Sequence, residues 1–456
     1  MVQKPSIPKG TRDFLPADLV RQAYVSDVIK THFQRYGFLP IQTPAMEKSS
    51  TLQGKYGDEG DRLMFHVLNS GEKVKKADTE ALANNALGRF TQSISEKALR
   101  YDLTVPFARF VAQHQHELRF PFKRYQMQTV WRADRPQRGR FQEFTQCDAD
   151  VVGPIGPVLE AEFVHLFDDV FHGLSLKDCT IRINHRGILA GIAAYLDAPD
   201  RIVDFTVALD KLDKIGAKGV AEELKQKGFS TASISKLTPL LSLSGSVADQ
   251  LDSLTTLLAD HQQALEGIDH LRTVLSFISP LRVSHLAFDL TLARGLNYYT
   301  GIIFEVSPPQ HIRMGSIGAG GRYDNLTELF GLKGINGLGI SFGLDRLCLV
   351  LEELDLFPKH LAQSIDIVVL HFGDAYMRAL LPHVARWREE GLRVMCYPVD
   401  HKLKKQLNYA NQIGSSWVVF YGEEEMKKGL VSIKNMDTGS STMVKPEFVS
   451  TSLGTI

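Results

Sequence analysis

Arginine and carboxylate side chains gather in residues 122–153 in a pattern that could bind an anion and a polar small molecule. Residues 122–132 are rich in aromatic and β-branched side chains, residues 133–139 contain proline and glycine, and residues 140–152 return to a strand-like pattern, so the stretch predicts a long-looped hairpin. Its loop region carries Arg132, Arg135, Arg138 and Arg140 against the single acidic Asp134. From composition alone, a solvated hairpin with a charged tip explains the pattern equally well.

The returning strand does not alternate apolar and polar residues as a half-buried hairpin would, because most residues on one of its faces are polar. Side chains on a strand alternate between its faces, so the following residues share one side: Gln142, Phe144, Gln146, Asp148 and Asp150. Burying that side without a ligand would leave several polar groups in need of partners.

Three further segments carry residues that could do chemistry. Asp102 and Thr104 would share one face of a strand, or would form a cap pair before a helix that starts near Pro106. Residues 288–306 predict a strand in which a buried Arg294 would need partners. Residues 315–322 are rich in glycine but no Walker A sequence occurs in the chain, so a tight turn is the plain interpretation of that segment.

Together these segments resemble class II aminoacyl-tRNA synthetases, in the form typical of histidyl-tRNA synthetases. The sequence segments WRAD, RPQRGR and FTQCDADVVG resemble motif 2, and residues 337–347 resemble motif 3. A helix predicted over residues 17–36, followed by a short proline-containing strand, resembles motif 1. The words KGTRDFLP, LRYDLTVPFAR, LARGLNYYTG and GAGGRYD resemble segments of the histidyl branch, so the likeness covers nearly the whole chain.

The resemblance implies a role for each matching residue. Arg132 and Arg294 would be the catalytic residues, holding the α-phosphate of ATP and the carboxylate of the amino acid. The residues implied to bind histidine are Asp102, Thr104, Gln146, Asp150, Tyr298, Tyr299 and Tyr323, and those implied to bind ATP are Arg132, Asp134, Arg140 and Arg346. No metal-ligating residue is implied. Asp150 stands where the family often has glutamate, and Asn297 where aspartate is common.

Length and pattern predict several domains around these segments, since 456 residues are too many for one core. The resemblance implies an α+β catalytic domain built on a mostly antiparallel sheet flanked by helices. It also implies a helical insertion and a C-terminal α/β anticodon-binding domain, for which the alternating strands and helices after residue 364 are independent support. The predicted ranges are 1–186 and 285–362 for the catalytic domain, 187–284 for the insertion and 363–456 for the anticodon-binding domain.

Composition excludes several classes of protein. No apolar run approaches the roughly 20 residues of a membrane span, and the polar, proline-containing start does not predict a signal peptide. The four cysteines are widely spaced and show no C-x-x-C, which disfavours a zinc site or a disulfide framework and fits a cytoplasmic protein. Lys and Arg equal Asp and Glu at 52 each, so any nucleic-acid surface must be a local patch, for which Lys402, Lys404 and Lys405 are the candidates.

The resemblance implies L-histidine, ATP with Mg²⁺, and tRNA(His) as ligands, in a homodimer that does not contact a membrane. One alternative is a non-catalytic paralogue of histidyl-tRNA synthetases that regulates another enzyme or senses tRNA. Such paralogues tend to lose the arginines or the last domain, whereas this chain keeps Arg132, Arg294, Arg346 and its C-terminal segment. A class II synthetase for another amino acid is disfavoured by LARGLNYYTG.

Overall fold

The computed structural model of the chain describes residues 4–209, 211–241, 243–281, 283–293, 298–358, 361 and 365–453. Its internal contacts divide the chain into two units, Met1–Leu356 and Phe357–Ile456. The first unit has two sheets and the second has one, and each unit has its own core. The further division of the first unit into two catalytic parts and an insertion stays a prediction.

The first unit is built on a large mixed sheet and a small one. Its strands are β1 (Leu39–Pro40), β2 (Met46–Lys48), β3 (His66–Val67), β4 (Lys97–Leu99), β5 (Phe122–Trp131), β6 (Glu143–Gly153), β7 (Thr180–His185), β8 (Leu286–Phe288), β9 (Ile302–Ser307), β10 (Gly318–Arg322) and β11 (Asn336–Gly343). The large sheet has the order β1-β5-β6-β11-β10-β9-β7-β8, and the small one the order β2-β4-β3. In the large sheet β1 with β5 and β7 with β8 are parallel, and the pairs between them are antiparallel.

Helices cover the large sheet and fill the connections. They are α1 (Pro16–Arg35), α2 (Ser49–Leu52), α3 (Gly57–Arg62), α4 (Thr79–Ala83), α5 (Leu87–Ile94), α6 (Thr104–Gln113), α7 (Pro157–Gly173), α8 (Arg186–Tyr195), α9 (Ile202–Leu209), α10 (Leu212–Gln226), α11 (Thr231–Leu241), α12 (Val247–Leu257), α13 (Gln262–Ile278) and α14 (Leu344–Glu353). The predicted motif 1 helix is confirmed as α1, which has Pro16 in its first turn and ends just before Gly37, whose φ is 79°.

One face of the sheet is apolar and packs on α1 and α7. Phe342 of β11 lies 6.0 Å from Phe33 of α1 and 5.0 Å from Phe167 of α7, measured between ring centroids. Cys147 of β6 is the cross-strand partner of Phe342 and is fully buried. Because strand side chains alternate, Gln146 belongs to the opposite face, which the helices leave open for a site.

One predicted element of the first unit, the continuous strand over residues 288–306, is wrong. Residues 289–293 and 298–301 are not strand, because Asp289 begins a turn: its carboxylate accepts from the backbone N–H of Thr291, and its carbonyl from that of Leu292. The Asn184 amide then bonds the Leu290 and Leu292 carbonyls, which replaces a strand partner. Residues 54–78 contain α3, the short strand β3 and a 3₁₀ helix.

The second unit combines a parallel core with an antiparallel edge. Its elements are β12 (Ile367–Val369), α15 (Asp374–Glu389), β13 (Val394–Cys396), α16 (Leu403–Gln412), β14 (Trp417–Phe420), α17 (Glu423–Lys428), β15 (Val431–Asn435), β16 (Ser441–Val444) and α18 (Val449–Ser452). The predicted βαβαβ series is confirmed, with parallel pairing of β12 to both β13 and β14. The antiparallel strands β15 and β16 extend this sheet and had not been predicted.

Candidate active site

One cavity on the open face of the large sheet collects most of the predicted site residues. Eight of them line it: Asp102, Arg132, Asp134, Arg140, Gln146, Tyr298, Tyr299 and Arg346. They come from the start of α6, from the β5–β6 hairpin, from the segment before β9 and from α14. Thr104, Asp150 and Tyr323 are not in the cavity wall. Arg294 and Asn297 lie outside the described residues, so their predicted places stay untested.

Three guanidinium groups give the cavity its anion-binding character. Arg346 is held by two backbone carbonyls, with Nε donating to Gly139 at 2.7 Å and Nη1 to Ser316 at 2.6 Å. Burial lowers the pKa of Arg346, and the positive charges of Arg140 and Arg132 lower it further. The positive charges of Arg132, Arg140 and Arg346 repel one another, so a bound anion such as a polyphosphate would stabilise the three guanidinium groups.

Arg132 is oriented by its neighbours and keeps its charge available. Its Nε donates to the Tyr101 carbonyl at 3.0 Å, and the guanidinium carbon lies 4.3 Å from the Tyr101 ring centroid and 5.3 Å from that of Phe144. Within the described part of the chain, no carboxylate lies within ion-pair distance of Arg132. Stacking fixes the plane of the guanidinium while its outer nitrogens can bind a ligand.

Asp102 caps a helix and also lines the cavity, so the cap interpretation of this segment is confirmed, whereas the strand interpretation is wrong because α6 begins at Thr104. Its Oδ1 accepts from the Tyr56 hydroxyl at 2.9 Å and from the backbone N–H of Val105 at 3.1 Å, which caps α6. Its Oδ2 accepts from the Tyr298 hydroxyl at 3.1 Å. Burial raises the pKa of Asp102, and the hydrogen bonds and the charge of Arg132 oppose this. Burial raises the pKa of Tyr298, and the Thr104 side chain beside it opposes this rise.

Asp150 and Tyr323 form a buried pair beside the cavity. The Tyr323 hydroxyl donates to Oδ1 of Asp150 at 2.6 Å, and both residues are only 2% exposed. The Tyr298 ring, which lines the cavity, lies 6.0 Å from the Tyr323 ring between centroids. The pair therefore lies directly behind the tyrosines of the cavity wall.

Several cavity residues were missed by sequence reasoning, because their importance depends on contacts far along the chain. Glu305 of β9 pairs with Arg182 of β7, its cross-strand partner. Asp345 pairs with Arg12 of the N-terminal leader, and its Oδ2 accepts from the backbone N–H of Thr145 at 2.8 Å. Only the KGTRDFLP leader gave a signal for any of these contacts.

Gln146 is anchored on one side only. Its Nε2 donates to the Ser341 hydroxyl at 2.9 Å, whereas its buried Oε1 has no partner among the described residues. A buried carbonyl oxygen without a partner fits a donor on a ligand.

No group of three His, Cys, Asp or Glu side chains that could hold a metal ion is found in the described ranges. None of the described helices is long and apolar enough to cross a membrane.

Comparison with known proteins finds histidyl-tRNA synthetases that match nearly the whole chain. The family model for histidyl-tRNA synthetase matches residues 72–347, and the model for the anticodon binding domain matches residues 366–454. The histidine–tRNA ligase of Christiangramia forsetii is 52% identical over 97% of each chain. That of Flavobacterium johnsoniae is 49% identical over 97% of this chain and 98% of its own. The crystal structure of histidyl-tRNA synthetase from a Nostoc species superposes with a TM-score of 0.83 at 30% identity and covers 100% of both chains.

Proposed function

The chain belongs to the histidyl-tRNA synthetase family, and from this premise we propose how its residues divide the work of activating histidine and charging tRNA. It is an ATP-dependent aminoacyl-tRNA ligase that joins histidine to tRNA. The observation that carries the proposal is one cavity lined by Arg132, Arg140 and Arg346 together with the buried carboxylate of Asp102. Such a site can bind a polyphosphate and an α-ammonium group at the same time.

The reaction has two steps. In the first, a carboxylate oxygen of histidine attacks the α-phosphorus of ATP, the bond to the β-phosphate oxygen breaks, and pyrophosphate leaves. In the second, a terminal ribose hydroxyl of the tRNA attacks the acyl carbon of the adenylate, and AMP leaves. No covalent intermediate with the protein is needed, so the protein contributes orientation and stabilisation of phosphate charge.

The arginines divide the anionic groups between them. Arg132 holds the α-phosphate and the histidine carboxylate, and Arg294 shares this role. Arg346 stacks on the adenine and meets the outer phosphates, with Arg140 beside it. Asp134 accepts from the adenine amino group. Support comes from the fixed carbonyl contacts of Arg346 and the stacked guanidinium of Arg132.

The histidine contacts come from carboxylates and tyrosines. Asp102 accepts from the α-ammonium group, supported by Thr104 through Tyr298, and Gln146 offers its unpartnered Oε1 to the same substrate. Asp150, held by Tyr323, accepts from the imidazole N–H, with Tyr299 beside it. An amino acid without a ring N–H cannot make the hydrogen bond to Asp150, and this is a strong source of discrimination.

The remaining partners belong to the same proposal. Mg²⁺ would enter with the nucleotide, bound to its phosphate oxygens. The motif 1 segment forms the interface of a homodimer. Residues 187–284 form an insertion that lies beside the acceptor arm of tRNA(His). The second unit binds the anticodon through Lys402, Lys404 and Lys405. The catalytic sheet is mostly antiparallel, and the protein works in the cytoplasm. Sedimentation of the purified protein alone tests the homodimer, and sedimentation with tRNA(His) tests the complex with tRNA.

A non-catalytic paralogue is not favoured. The relatives that match over the whole length are named as ligases, and the arginines that such paralogues lose are present in the sequence. The test is aminoacylation: purified protein with ATP, labelled histidine and tRNA(His) should form acid-precipitable histidyl-tRNA. Failure to charge tRNA(His) by a folded protein that binds ATP would contradict the proposed function.

A further inference from the structure

We propose that Arg124 is a positioning residue of the histidine pocket. It holds Asp150 as an ionised acceptor for the neutral imidazole of the substrate. This inference rests on the proposed function, since it assumes that Asp150 receives the imidazole N–H. Arg124 does not line the cavity and acts through Asp150. Its effect on the reaction is therefore a change in substrate recognition.

The strand register creates the contact. Arg124 of β5 and Asp150 of β6 are cross-strand partners, and Nη2 of Arg124 lies 2.7 Å from Oδ2 of Asp150. The arginine is fully buried, with its guanidinium carbon 4.3 Å from the centroid of the Phe107 ring. Its Nη2 also donates to the Leu103 carbonyl at 3.3 Å, between the two residues proposed to hold the α-ammonium group. Arg124 thus connects both ends of the histidine site.

Stability alone is a weak reason for this ion pair. Removing two charges from water is costly, and an apolar pair of similar volume is often no less stable. Moreover, Nε of Arg124 is buried without a hydrogen-bond partner among the described residues, and Oδ2 of Asp150 has the ion pair with Arg124 but no hydrogen bond of good geometry there. A partly satisfied polar network in a core is costly, whereas beside a binding site it leaves lone pairs for a ligand.

The charges around Asp150 explain why it needs a cation. Asp148 adjoins it on β6, Asp102 faces it from the start of α6, and Tyr323 and Tyr299 face it from the segments next to β10 and β9. On β11 the facing residue is Gly339, which brings no charge. Burial raises the pKa values of Asp148 and Asp150, and the Arg124 charge opposes this for both.

The compensating charge also selects the proton state of the substrate. A neutral imidazole has one N–H donor and one acceptor, whereas an imidazolium has two donors and a positive charge. Uncompensated carboxylates would attract the imidazolium. With Arg124 in place, Asp150 keeps its acceptor oxygens while the local charge is reduced. The pocket then suits the neutral form that predominates at pH 7.

The test is the substitution R124Q, measured by pyrophosphate exchange. We expect the KM for histidine to rise about tenfold to a hundredfold at pH 7, the cost of a charged hydrogen bond, with the KM for ATP unchanged. The ratio of mutant to wild-type KM should fall as the pH rises, because loss of the Arg124 charge raises the pKa of Asp150 further and the carboxylate then ionises only at higher pH. R100Q is the matched control, since Arg100 is also buried but donates to the Thr43 and Thr129 carbonyls. The ratio of the R100Q KM for histidine to the wild-type KM should not depend on pH.

A double-mutant cycle with D150N separates positioning from general packing. If Arg124 acts through Asp150, R124Q adds no further rise in the KM for histidine in the D150N background. Additive effects, or an R124Q ratio that does not change with pH, would overturn the proposal. If R124Q does not fold by circular dichroism, R124K decides: it should keep the pH dependence of the wild type, and a KM raised equally at every pH would contradict the inference. Wild-type protein without histidine-dependent exchange would instead refute the proposed function.

Discussion

Oδ1 of Asp150 lies where a side chain on Gly339 would begin. A Cβ atom built on Gly339 would be 1.9 Å from that oxygen and 2.5 Å from Cγ of the same carboxylate. The two residues are cross-strand partners on β6 and β11. Gly337 gives way to the Tyr323 ring in the same manner, with its Cβ 2.0 Å from Cε2. The glycines of the motif 3 strand therefore make room for the pair behind the histidine pocket.

The substitution G339A should displace the Asp150 carboxylate. Overpacking of this kind costs about 1–3 kcal/mol of stability, and we expect the KM for histidine to rise about tenfold or more while the KM for ATP changes little. G156A is the control, because no atom lies within 4 Å of its Cβ and its φ is −127°. Steady-state pyrophosphate exchange measures both constants. A G339A protein with a wild-type KM for histidine would show that Asp150 does not contact the substrate.

R294A tests the second catalytic arginine, which lies outside the described residues. Loss of a group that stabilises charge in the transition state lowers the rate about 10²–10³-fold. Adenylate formation should therefore fall by that factor, while equilibrium binding of ATP weakens much less. Pre-steady-state adenylate formation and nucleotide titration give the two numbers. Unchanged pyrophosphate exchange would refute the role assigned to Arg294.

R346K tests the nucleotide site. A lysine keeps the charge but cannot bond the Gly139 and Ser316 carbonyls in the same plane or stack on adenine. The KM for ATP should rise about tenfold to a hundredfold, with the KM for histidine nearly constant. R272K in α13 is the control, since Arg272 is 39% exposed and pairs with Asp252. Equal KM values for ATP in R346K and R272K would rule out the assigned contact.

His185 predicts a pH dependence of stability. Burial, and then the charges of His270 and Arg322, lower the pKa of His185 to about 4, and its Nδ1 accepts from the backbone N–H of Gly187 at 3.0 Å. The unfolded state therefore binds more protons between pH 6.5 and 4, so the free energy of unfolding falls as the pH falls through this window. From pH 7 to pH 5 the loss from His185 is about 2 kcal/mol. H185N, which can still cap α8, should show a shallower fall in denaturant titrations, and identical slopes would contradict the assignment.

The β5–β6 hairpin could be predicted from sequence because its signals are local. Strand formers flank a loop with Pro136 and Gly139, and alternation alone placed Gln146 and Asp150 on one face. Gly139 has a φ of 70°, as a turn position requires. The returning strand begins at Glu143, three residues later than expected, because residues 140–142 still belong to the loop.

The contacts that complete the site could not be predicted, because they join distant parts of the chain. Arg182 and Glu305 are 123 residues apart, and Arg12 and Asp345 are 333 apart. The pairing of Arg124 with Asp150 depends on the exact register of β5 on β6, since a shift of one residue would turn the arginine to the other face. The strand predicted through Tyr298 failed for a related reason: a side chain, Asn184, occupies the carbonyls that a neighbouring strand would bond.

The most direct test of the central claim is ATP–pyrophosphate exchange with each of the common amino acids supplied singly. The proposed hydrogen bond from the imidazole N–H to Asp150 predicts exchange with histidine, and exchange at least about a thousandfold lower with every other amino acid. Exchange supported equally by another amino acid, or by none while ATP still binds, would contradict the account.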